Sequence, residues 1–81
     1  MLLPYKLPVD WLSSRASSPE VVLRRFGRYL GVSELVNAMQ PGDELHKFDS
    51  PKSEWKKLAG RFGYALVRQS EAIAMVVIRK N

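Results

Sequence analysis

Residues 62–80 are apolar at almost every position, interrupted only by Gly63, by Arg68-Gln69-Ser70-Glu71 and by the closing Arg79-Lys80. Two apolar runs around a short polar break predict a β-hairpin. Because side chains alternate sides along a strand, Tyr64, Leu66, Ile73, Met75 and Val77 are expected on one face, and Ala65, Val67, Ala74, Val76 and Ile78 on the other. A hairpin with two apolar faces needs two coverings. The bulky face is expected to take the chain's own helices. The smoother face, formed by Ala65, Val67, Ala74, Val76 and Ile78, is expected to take a second chain, since a contiguous exposed apolar patch usually marks an interface.

A chain of 81 residues is one domain, and at that size it buries only about 60–65% of the surface its unfolded form exposes. Apolar residues make up 46% and charged residues 26%, an ordinary globular balance that argues against disorder. Cysteine is absent, which removes disulfides, thiolate metal sites and thiol chemistry. Residues 72–78 form the longest apolar run, too short to span a bilayer, and Met1-Leu2-Leu3 before Pro4 is no secretory segment. The expectation is a cytoplasmic chain without membrane contact.

Formal charge is +5 with a pI near 9.9. The sign alternates along the chain: residues 1–32 are net basic, 33–50 net acidic and 51–81 net basic. Such a balance suits solubility and also permits nucleic-acid binding.

Pro4 and Pro8 predict an extended N-terminal arm over residues 1–17, with Trp11 and Leu12 able to clip it onto the body and a serine-rich linker behind them. The folded domain is expected over residues 18–81. Ser18-Pro19-Glu20 is a helix start, with a capping hydroxyl, proline in the first turn and a carboxylate near the positive helix end. Val22, Phe26, Tyr29 and Leu30 then predict a buried stripe, with Gly31 as a left-handed stop. Ser33 is expected to cap a second short helix that Pro41-Gly42 ends. Residues 43–48 read as a strand, and Ser50-Pro51 opens a third helix of about three turns bearing Trp55, Leu58, Ala59 and Phe62.

The expected fold is therefore α+β. Two N-terminal helices precede a three-stranded antiparallel sheet in the order 1-3-2, with a right-handed crossover helix between strands 1 and 2. The motif Pro41-Gly42-Asp43-Glu44-Leu45, then Phe48, Trp55, Leu58-Ala59-Gly60-Arg61 and Gly63-Tyr64-Ala65-Leu66-Val67-Arg68, resembles a family of small uncharacterised bacterial proteins over the C-terminal half. Family members carry an aromatic where this chain has His46, and Asn-Gly where it has Gln69-Ser70. The resemblance implies a fold and no activity.

His46 is the single histidine, and Glu44 shares its strand face, a possible metal or acid–base pair. A catalytic zinc wants three protein ligands, and Asp43 and Asp49 project to the other face of a regular strand. His46 therefore reads as a strand histidine, and no cofactor, metal or catalytic residue is expected. Ser18, Ser33 and Ser50 are accounted for as helix caps. Gly60-Arg61-Phe62-Gly63 matches a KH-type GxxG only in letters, because a strand rather than a helix follows.

Arg24, Arg25 and Arg28 line one helix face, and Lys56, Lys57 and Arg61 another. Such faces are usually solvated. The function expected is a non-enzymatic protein–protein interaction module, homodimeric or docking on a larger protein through the smooth hairpin face. The alternative is nucleic-acid binding through those six cations.

Overall fold

The computed structural model describes residues 7–81. The expected arm falls partly on residues 1–6, outside the described residues. Behind a 3-10 turn at Val9–Trp11 the elements run β1 (Leu12–Ser17), α1 (Pro19–Phe26), α2 (Val32–Asn37), β2 (Glu44–Asp49), α3 (Lys52–Lys56), β3 (Arg61–Arg68) and β4 (Glu71–Lys80). The α+β class holds, but the sheet has four strands, all antiparallel, in the order β1-β2-β3-β4. The three-stranded 1-3-2 order is overturned.

The physical reason lies in α3. A parallel crossover needs a dozen or more residues, usually a full helix, whereas α3 has 5 residues and the chain turns back on itself. Leu58 takes a left-handed φ of 61°, and Gly60 lies so close to Trp55 that a Cβ there would enter the indole ring. The indole Nε1 donates to Asp49 Oδ1 at 2.9 Å and to the Ser50 carbonyl at 3.1 Å, tying the short helix to the end of β2. Ser50 is buried, and its Oγ accepts from Arg61 N at 2.7 Å and donates to Arg61 O at 3.2 Å. It thus joins β2 to β3 and does not cap α3, whose N-cap position is Pro51. β2 and β3 can then pair directly, from Glu44↔Val67 to Asp49↔Phe62.

The first helix starts as expected, with the Ser18 hydroxyl accepting from Val21 N at 3.5 Å. It stops at Phe26, short of Leu30. Tyr29 and Leu30 turn outward, at 44% and 85% exposure, so the stripe stops one turn early. Gly31 does adopt a left-handed φ of 88°, but as the N-cap of α2, which leaves Ser33 inside the helix without a capping role. Together α1 and α2 set Val22, Val32 and Leu35 against Leu45, Leu66 and Val76 on one side of the sheet, the helix face.

The opposite side, the arm face, is covered by the N-terminal segment. Leu7 is buried there with Phe48, Ala65 and Met75, and Trp11, Leu12 and Val77 pack against them. Leu12 pairs with Phe48, and Ser17 with Leu45. Residues 12–17 are therefore the outer strand of the sheet rather than a linker outside the domain. LSSRAS has little strand character, and it pairs because β2 would otherwise present a bare edge.

Hairpin pairing changes which residues share a face. Near the turn Val67 pairs with Ala72, but one residue on Leu66 pairs with Ala74, so Ile73 is an extra residue in β4. One extra residue reverses the alternation beyond it. Tyr64 therefore lies opposite Val76 and Ala65 opposite Met75, the reverse of the alternation expected from the sequence. A second irregularity skips Ile78, between Gly63↔Val77 and Phe62↔Arg79.

Candidate interaction surface

The register shift dismantles the expected interface. Val76 is 3% exposed, and Ala74 and Ile78 pack with it on the helix-side core. Ala65, 0% exposed, lies on the arm face beside Phe48 and Met75. Val67 is half-buried on that same arm face. The five residues are split between two faces, each covered by the chain's own segments. What the hairpin leaves without a partner is backbone: β3 pairs with one side of β4, and no described strand pairs with the other.

β4 is the longest strand, at 10 residues, and it contains no proline. Its only charges are Glu71 at its start and Arg79 and Lys80 at its end. Residues 74–77, between the two irregular positions, form a regular apolar stretch. An edge of this composition is a template for another strand, because its outward N–H and C=O groups are unpaired. Arg79 is held in place at the basic end, its guanidinium 5.4 Å from the Phe62 ring centre and 5.6 Å from that of Trp55. Glu71, Arg79 and Lys80, which flank this edge, are not among the residues the sequence singled out. The readable signal was the order acidic, apolar, basic along one strand.

On the arm face β1, β2 and the turn end of β3 frame a cleft of about 390 Å³ lined by Leu12, Ser13, Glu44, His46, Val67 and Ser70. His46 Nδ1 lies 2.7 Å from the Ser13 carbonyl, an acceptor, so this nitrogen carries the proton. Nε2 lies 2.9 Å from Glu44 Oε1. Both ring nitrogens are thus engaged, and the arrangement is best satisfied by the imidazolium. Burial is the largest influence and opposes the charge, yet the Glu44 and Ser13 hydrogen bonds together hold the His46 pKa above the ordinary 6.5. The ring acts as a cross-link from β2 to β1 and has no free nitrogen for a metal or substrate.

The neighbouring acids are committed as well. Asp43, whose side chain is nearly fully buried, accepts from Arg68 Nε at 2.9 Å and Nη2 at 2.8 Å. It also accepts from Gln40 N at 2.8 Å. The Arg68 hydrogen bonds, followed by the bond from Gln40, lower its pKa from 3.8 to about 2. Among the described residues no group of three His, Asp or Glu side chains is placed to hold a metal ion.

The six cations lie on different elements. Arg24, Arg25 and Arg28 are exposed on or just beyond α1, and Lys56 and Lys57 at the end of α3. Arg61 is half-buried, and its Nη1 donates to the Gly60 carbonyl at 2.8 Å. Arg25 lies near enough to Tyr64 to oppose the rise in that phenol's pKa caused mainly by burial. Beside it Phe26, Phe62 and Tyr64 form a contact cluster with ring centres 5.7–6.2 Å apart. Among the described residues no helix is long and apolar enough to cross a membrane.

No family model, curated protein or solved structure matches this chain.

Proposed function

We propose that this chain is a non-enzymatic protein-interaction module that accepts an additional β-strand along the free edge of β4. The observation that carries the reading is the unpaired side of a long strand with an apolar centre, in a sheet whose two faces are already covered. Natural sheets blunt their edges with central charges or proline. β4 has neither between Glu71 and Arg79, although its two irregularities confine the regular segment to residues 74–77. Strand addition supplies main-chain hydrogen bonds for affinity and side-chain alternation for selectivity. The engaged state of His46 supports a binding role over a catalytic one. The division of the cations between two helices, with Arg61 tied to Gly60, gives nucleic-acid binding weaker support.

The test is selection of short extended peptides against the immobilised chain, followed by hydrogen exchange of the complex. The expected result is new protection of β4 amides and loss of binding on Ile73→Lys, a change at a position 37% exposed. Binders that protect other strands, or that ignore Ile73→Lys, would refute the reading.

A further inference from the structure

We infer that the strand received by β4 is β4 of a second copy of this chain, paired antiparallel about a twofold axis within residues 74–77. This inference rests on the strand-accepting edge proposed above and names its occupant. The charge order of β4 is self-complementary in one direction only. Antiparallel pairing about Met75 sets Glu71 of each copy opposite Arg79 of the other, on the helix side that both share, whereas parallel pairing stacks Glu71 on Glu71 and cation on cation.

The shape of the edge agrees with the charge. Ile73 and Ile78, the two residues skipped in the pairing with β3, bracket residues 74–77. A twofold axis at Met75 sets Met75 against Met75 and Ala74 against Val76 of the other copy, a short regular ladder clear of both irregular positions. Such an axis stands perpendicular to the sheet, so the helix face of one copy continues into the helix face of the other. Ala74 and Val76 of both copies then share one side, and Met75 and Val77 the other. The same patch serves on both subunits, as a closed dimer requires. Eight strands would run continuously, with β1 at either end.

The experiment is sedimentation equilibrium of the full chain from micromolar to millimolar concentration, with Glu71→Lys and Arg79→Glu as separate variants. Because the Arg79 guanidinium also lies on Trp55 and Phe62, circular dichroism checks that Arg79→Glu stays folded. The parent is expected to dimerise. Each variant alone juxtaposes like charges and is expected to self-associate about ten-fold more weakly. Mixed, the two variants pair opposite charges at both ends of the ladder, and their hetero-association is expected to return to the parental strength. A parent that stays monomeric throughout overturns the inference, as does a dimer indifferent to both reversals. If the monomeric parent still binds selected peptides along β4, the strand-accepting function survives and only the choice of occupant falls. If it binds none there, both fall.

Discussion

Gly63→Ala is the substitution whose consequence the structure states most directly. Gly63 pairs with Val77 on β4, and a Cβ at this position would come within contact-violating distance of the Val76 carbonyl oxygen and 3.0 Å from Phe48 Cζ. The first obstacle is backbone, so no rotamer change relieves it; β3 and β4 must separate locally. The second is the largest fully buried side chain of the protein. Overpacking a tight site costs about 1–3 kcal/mol, and a backbone clash in a strand ladder belongs at the upper end, about 3 kcal/mol. At about 0.05–0.15 kcal/mol per residue, 81 residues give a total stability of about 4–12 kcal/mol. The variant therefore folds, with a melting temperature lower by about 12–24 °C at about 4–8 °C per kcal/mol. Gly42→Ala is the control: nothing lies within 4 Å of its added Cβ, and only its φ of +91° opposes the change, at about 1–2 kcal/mol. Thermal unfolding followed by circular dichroism measures both. A Gly63→Ala melting point within about 3 °C of the parent, or above that of Gly42→Ala, would show that the strands are not packed as described.

Two further outcomes follow from the same geometry. His46 has its folded pKa raised above 6.5, so its contribution to stability is complete below 6.5 and declines as pH rises through the folded value. Melting temperatures between about pH 5.5 and about pH 8.5 should fall with pH in the parent and flatten in His46→Ala; identical profiles would remove the link between β1 and β2. The hairpin turn holds Gln69 at φ 52° and Ser70 at φ 66°, left-handed conformations that suit Asn-Gly. Gln69→Asn with Ser70→Gly is expected to raise stability by about 1 kcal/mol or more, and an unchanged or lower melting temperature would contradict the turn assignment.

The candidate surface was only partly legible from residue order. Glu71, the apolar run and Arg79-Lys80 stand in plain order, yet whether that strand is central or at an edge is a property of the assembled sheet. Under the expected 1-3-2 order β4 would have been the middle strand, with no edge to offer. The decision turns on α3: Ser50-Pro51 and the spacing of Trp55, Leu58, Ala59 and Phe62 announce a longer helix than forms. The bonds from Trp55 to Asp49 and Ser50, with the left-handed turn at Leu58, end it after Lys56 and send β3 straight back along β2.

Local chemistry by itself determined the start of α1 at Ser18-Pro19, the presence of a hairpin around Gln69-Ser70 and the α+β class. These depend on groups a few residues apart: a hydroxyl reaching Val21 N, a polar break between apolar runs. Only the tertiary structure decided which hairpin residues share a face, because the extra residue at Ile73 reverses the alternation and no period-two pattern records it. Recruitment of Leu12–Ser17 as β1 was decided in the same way. Nothing in that segment demands a strand; the open side of β2, Leu12 against Phe48 and His46 reaching Ser13 make it one.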